Sequence, residues 1–173
     1  NASIHILGTW SSENEIKNAR VFARIVKEDT GDTVIPWSCS DDIGNQKWEI
    51  KIDDIPVGGL YRLETCVNSK DEMVSEWALR GDMIHHFGVG DIYVIAGQSN
   101  SAGYGKDPVY DPPELGVHLY KNSERWDLAS HPMNDSTNTV HEVNREGGNS
   151  GNSPYLSFGK YLKRELHYPI GLI

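Results

Sequence analysis

An apolar run, Ile92-Tyr93-Val94-Ile95-Ala96, passes without interruption into Gly97-Gln98-Ser99-Asn100, and no other stretch restricts the possible folds so strongly. Consecutive apolar positions between Asp91 and Gly97 predict a strand over Asp91 to Ala96 buried on both faces, as in a parallel sheet. Gly97 allows a turn that a Cβ would oppose. Ser99 then stands at the carboxyl end of a buried strand, where open α/β sheets place their reactive groups. A helix starting just after it would bring its positive end to the same point.

Upstream, to about Gly88, the texture is β. Lys47 to Ile52 alternates strictly, with Trp48, Ile50 and Ile52 on one face. Ala19 to Val26 partly alternates, Val34, Ile35 and Trp37 form a short apolar patch, and Leu60 to Val67 is a further strand after the Pro56-Val57-Gly58-Gly59 turn. Short strands, frequent turns and no long helix predict a β-sandwich module over residues 1–88. Trp10, Trp37, Trp48 and Trp77 are read as its core aromatics rather than as a sugar-stacking platform.

From residue 89 the order becomes strand, loop, helix, strand, the opening of a parallel α/β sheet. Val117 to Tyr120 is a second strand, and residues 129–153, rich in Asn, Ser, Thr and Gly, form a long loop over a site. Tyr155 to Leu166 has helical spacing, with Ser153 as N-cap and Pro154 in the first position. Pro169 to Ile173 begins another strand, so the segment reads as the first part of a longer domain.

The chain of 173 residues carries a net charge of −9, and its 16 Lys and Arg are scattered without a basic run. A nucleic-acid or anionic-membrane partner needs a basic footprint, so neither is expected. A disulfide between Cys39 and Cys66 would suit an exported protein and two buried thiols a cytoplasmic one; the spacing does not separate these, and with too few cysteines for a disulfide framework buried free thiols are the default. His85-His86 lacks the spacing of metal ligands, no carboxylate cluster supplies it elsewhere, and no metal or other cofactor is called for. The Asn134-Asp135-Ser136 sequon is short enough to arise by chance.

The block from Gly90 to Asn100 resembles the first conserved block of the sialate O-acetylesterase-like carbohydrate esterases, within the SGNH (GDSL-type) hydrolase superfamily. Trp48 to Ile52 and Gly58-Gly59-Leu60-Tyr61 are similar to the β-rich module that precedes the catalytic domain in that family. Gly151-Asn152-Ser153-Pro154 with Phe158, then Pro169 to Ile173, is similar to its glycine block, helix and next strand. The resemblance implies a flavodoxin-like, three-layer parallel α/β domain, of which residues 89–173 are the N-terminal part. It implies a serine esterase that removes acetyl groups from sugars, with Ser99 as nucleophile. The N–H groups of Ser99 and Gly151 would form the oxyanion hole, Gly147 and Gly148 being nearby alternatives, and Gln98 and Asn100 would line the site. The resemblance also favours export from the cytoplasm.

A serine hydroxyl needs a base to take its proton. The family's Gln-Gly-Glu and Asp-x-x-His blocks are not in the sequence, and in family order they follow Ile173. Among the histidines present, His85 and His86 read as interdomain linker, His118 as a strand side chain and His167 as the end of a surface helix. His131 and His141 read as surface-loop residues. None is assigned as the base, which leaves a competing expectation: a non-catalytic carbohydrate-binding protein with a relic esterase fold.

Overall fold

A computed structural model describes the chain except for residues 14, 75–78, 108 and 146–150, so Trp77, Gly147 and Gly148 lie outside the described residues. The chain divides into two compact units, Asn1–Val89 and Gly90–Ile173.

The first unit is all β. Strands β1 (Ala2–Thr9), β2 (Ala19–Lys27), β3 (Thr33–Cys39), β4 (Asp41–Gly44), β5 (Lys47–Ile55), β6 (Gly58–Ser69) and β7 (Leu79–Val89) form two antiparallel sheets, ordered β1-β5-β4 and β3-β2-β6-β7. The alternation in β5 works as expected: Trp48, Ile50, Ile52 and Ile55 are buried against Val21, Ala23 and Ile25 of β2 and Tyr61 and Leu63 of β6. Each large apolar side chain so buried contributes roughly 1.5–3 kcal/mol. Trp48 fits because its cross-strand partner is Gly8, where a Cβ would come within 2.6 Å of the indole.

Beyond that core, buried Glu64 on β6 accepts from Arg24 (2.7 Å), Arg62 (2.6 Å) and Arg80 (2.9 Å), and Trp37 packs under Arg24 and Arg80. Burial would raise the Glu64 pKa, but the bonds from Arg24 and Arg62 outweigh it and hold the carboxyl below its ordinary range.

His85 and His86 belong to β7 and not to a linker. The register slips between the pairs Leu63↔Ile84 and Tyr61↔Phe87, and His86 takes a positive φ of 58°. In a regular strand two successive side chains point to opposite faces; this bulge turns both imidazoles onto Glu28, at 2.7 Å each. The cysteines are both free, which answers the question their spacing left open, but only Cys66 is buried; Cys39 is exposed.

The second unit contains β8 (Asp91–Tyr93), α1 (Ser99–Ala102), β9 (Val117–Tyr120), β10 (Trp126–Leu128), a 3-10 turn at Glu142–Asn144, α2 (Pro154–Leu166) and β11 (Ile170–Leu172). The sheet order is β10-β9-β11-β8, with β8, β11 and β9 parallel and β10 antiparallel to β9. Ser153 caps α2 by accepting from the Tyr155 N–H, and Pro154 occupies its first turn. Leu156 of α2 packs with Val117, Leu119, Ile170 and Leu172 on one face of the sheet. Gly159 lets the helix approach closely, since a Cβ there would press on Val117 at 2.7 Å.

Within residues 90–173 the strand expected over Asp91 to Ala96 is shorter and is covered on one face. Regular strand ends at Tyr93, and Ile92 and Val94 are 60% and 74% exposed. β8 is the edge strand and has one neighbour, β11. Only its α2-facing side chains, Tyr93 and Ile95, reach the core. Main-chain pairing nonetheless continues past the strand, through Ile95 N–H to the Ile173 carbonyl (2.6 Å) and Ile173 N–H to the Tyr93 carbonyl (3.0 Å).

Candidate functional site

That pairing carries the backbone straight to the Ser99 turn. Gln98 is extended and its carbonyl accepts from the Ser101 N–H (2.8 Å) and the Ala102 N–H (3.1 Å); Gly103 N–H returns to the Ser99 carbonyl at 3.1 Å. Two glycines make this turn possible. A Cβ at Gly97 would collide with the Ser101 side chain, and Gly103 adopts φ 88°, left-handed backbone that favours glycine. The helix so formed is a single turn that begins at Ser99 itself, so it does not supply the helix end expected to follow the serine.

Ser99 is exposed and faces a cleft of about 630 Å³. Gly97, Gln98, Ser101 and Tyr104 line it from the same turn, and Ile95 and Ile173 from the sheet. Tyr120 and Asn122 enter from the end of β9, Met133 and Asn134 from the following loop, and Asn144 from the 3-10 turn. Sequence reading gave none of these three asparagines a place in the site, although Asn134 and Asn144 lie in the polar segment 129–153 expected to cover it. Gln98 and Ser99 are brought together in the cleft; Asn100, exposed on the same turn, is not among its lining residues.

Gly151 stands elsewhere. Its N–H donates to the Gly103 carbonyl at 2.6 Å, and a Cβ on it would run into the Gly105 carbonyl. Asn152 N–H donates to the Gly105 carbonyl (2.9 Å) and its side-chain amide to the Asp107 carbonyl (2.8 Å). Residues 151–152 are thus a small bridge bracing the segment after Ser99. With its N–H committed to Gly103, Gly151 has no donor to offer an oxyanion in this geometry.

A buried polar network supports the wall of the cleft. Ser153 N–H donates to His131 Nδ1 (3.3 Å), which places the imidazole hydrogen on Nε2, where it donates to Asp111 (3.1 Å). Asp111 also takes Lys160 and, at 3.0 Å, the Ser157 hydroxyl. Burial would raise the Asp111 pKa, but bonds from Lys160, His131 and Ser157 together lower it. The surface-loop role expected for His131 is therefore corrected. Its side chain is 15% exposed, and its two ring nitrogens join the start of α2 to the 107–114 loop. His141 does sit at the surface, paired with Glu124 at 2.8 Å. Among the described residues no histidine lines the cleft.

A strand-end serine on a glycine-framed turn, beside an open polar cleft, suits acyl transfer. No curated protein matches the chain. The carbohydrate esterase family described as sialic acid-specific acetylesterase matches residues 89–173. The second unit is thus similar to the sialic acid-specific acetylesterase family of carbohydrate esterases.

Proposed function

We propose that the protein is a carbohydrate O-acetylesterase of the SGNH type in which Ser99 is the nucleophile. Ser99 Oγ attacks the acetyl carbonyl carbon, its proton passes to a base, and the sugar oxygen leaves as a hydroxyl; water then releases acetate from the acyl-serine. The Ser99 N–H is the first oxyanion donor, aimed by the turn that Gly97 and Gly103 permit. The two-sheet first unit is read as a β-sandwich accessory module. The observation that carries this reading is the placement of an exposed serine in the cleft of a unit whose family acts on carbohydrate esters.

Hydrolysis of p-nitrophenyl acetate by the full-length natural protein, compared with Ser99→Ala, tests it. Activity is expected to fall to background while circular dichroism stays unchanged. Full activity in Ser99→Ala would remove the serine from the mechanism. A competing reading is a carbohydrate-binding protein without turnover, in which the first unit and its tryptophans bind the glycan. Glycan binding with no Ser99-dependent hydrolysis would establish that reading instead.

A further inference from the structure

We infer that Asn122 sets the polarity of the Asn134 amide, so that the wall of the cleft beside Ser99 offers a pair of N–H donors to an acceptor oxygen of the sugar. Asn134 is the residue that touches the ligand, and Asn122 is a positioning residue that acts through it. The inference rests on the esterase reading for the class of ligand, an O-acetylated sugar, and adds how that sugar is held.

One backbone atom fixes the direction of both amides. A side-chain amide can be turned end for end without changing its shape, so its polarity is set by its partners. The Asn122 side chain stands 3.1 Å from the Asp135 carbonyl oxygen, which only accepts, so the end of Asn122 directed there is its NH₂. The same nitrogen lies 3.0 Å from Asn134, and because it donates, the Asn134 atom it meets is Oδ1. The Asn134 NH₂ is therefore at the end turned away from Asn122, and Asn134 lines the cleft. Reversing Asn134 would set two NH₂ groups against each other.

Both residues are mounted on fixed backbone. Asn122 sits in the turn between β9 and β10, closed by Lys121 N–H to the Arg125 carbonyl (2.9 Å) and Glu124 N–H to the Lys121 carbonyl (2.9 Å). Its own carbonyl accepts from the Val140 N–H at 3.2 Å. Asn134 follows buried Met133 and His131, which Asp111 and Ser153 hold. Asp135 Oδ1 accepts from the Thr137 N–H (2.9 Å), which shapes the chain just after Asn134. An amide held this way donates without the rotamer entropy that a free side chain loses on binding. Tyr120, packed on Trp126 with ring centroids 5.4 Å apart, adds apolar area to the same cleft. Ring surface with a few fixed polar groups is how small-molecule sites orient a ligand. The hydroxyl, amide-carbonyl and carboxylate oxygens of a sialic acid are all acceptors that such N–H groups serve.

Binding without turnover tests the inference, by calorimetry on the full-length natural protein carrying Ser99→Ala, with a mono-O-acetylated sialic acid as probe. Asn134→Ala in that background is expected to weaken binding about tenfold, the scale of one lost hydrogen bond. Asn122→Asp keeps the shape at 122 but replaces the donor with an acceptor, so Asn134 turns its NH₂ inward; a loss of about tenfold is again expected. The double variant separates positioning from independent contact. If Asn122 acts through Asn134, it binds no more weakly than Asn134→Ala alone, whereas independent effects would multiply to about a hundredfold. Should Asn134→Ala fail to fold by circular dichroism, Asn134→Asp repeats the measurement, since it keeps the shape and the acceptor that Asn122 needs. A multiplied loss in the double variant, full affinity in either single variant, or no binding of the probe by the Ser99→Ala parent would each overturn the inference. Failure of the esterase reading shows separately, as p-nitrophenyl acetate hydrolysis that does not depend on Ser99.

Discussion

The Ser153 hydroxyl donates to the Ser101 carbonyl at 3.4 Å while accepting from the Tyr155 N–H at 3.3 Å, so one side chain caps α2 and ties it to the turn that carries Ser99. Because Ser153 is 4% exposed, water does not replace these bonds when the hydroxyl is removed. Ser153→Ala is therefore expected to cost about 1–2 kcal/mol, the upper range for a lost N-cap. Urea denaturation monitored by circular dichroism measures it, and an unchanged midpoint would show that the cap carries no stability.

Glu64→Gln tests the first unit. The amide keeps the side chain's shape but leaves Arg24, Arg62 and Arg80 around a neutral group. Removing one partner from a buried ionic cluster costs about 3–5 kcal/mol, and a loss of that size is the expected result. A double variant, Glu64→Gln with Arg62→Leu, should recover part of it, because less unpaired charge then remains buried.

Asp111 sets an acid limb. Its folded pKa lies below the unfolded value of about 3.9, so its stabilisation is present in full above that pH. The contribution is lost as pH falls through the folded value. The wild type should lose stability more steeply than Asp111→Asn below about pH 4. Urea midpoints of both proteins across that range isolate the effect, since Glu28 and Glu64, also lowered, contribute equally to each curve. Parallel curves would mean that Asp111 titrates alike folded and unfolded.

The two thiols should differ in reactivity. Cys66 is fully buried and its pKa is pushed up to about 11, whereas Cys39 is exposed. Iodoacetamide at neutral pH is expected to modify Cys39 alone in the native protein and both cysteines after denaturation. Mass spectrometry of peptides distinguishes the outcomes, and native labelling of Cys66 would show that its strand opens readily.

Much of the framework was legible where side-chain period matches element type. Lys47 to Ile52 alternates, so Trp48, Ile50 and Ile52 had to share a face, and they fill the core. Ser153 and Pro154 ahead of a helical apolar stripe marked the start of α2. Four strands passed unread, β1, β4, β7 and β10. β1 alternates, but its core face is Ile4 and Ile6 followed by Gly8, a small apolar signal made effective by Trp48 across the strand pair. β7 loses its period at His85-His86, where the bulge turns both side chains to one carboxylate.

What sequence alone determined is therefore local: which residues can share a strand or helix face, and that Gly97 permits a turn presenting the Ser99 hydroxyl. Those follow from sterics within a few residues. Tertiary structure decided the rest, because burial and partnership are properties of neighbours. The run from Ile92 to Ala96 is apolar enough for a doubly covered strand, and within residues 90–173 it pairs with β11 alone, with Ile92 and Val94 exposed. Gly151 has the freedom an oxyanion donor needs, but the Gly103 carbonyl takes its N–H. Asn122, Asn134 and Asn144 lie far from Ser99 along the chain, and only the folding of separate loops onto one sheet end brings them to the same cleft.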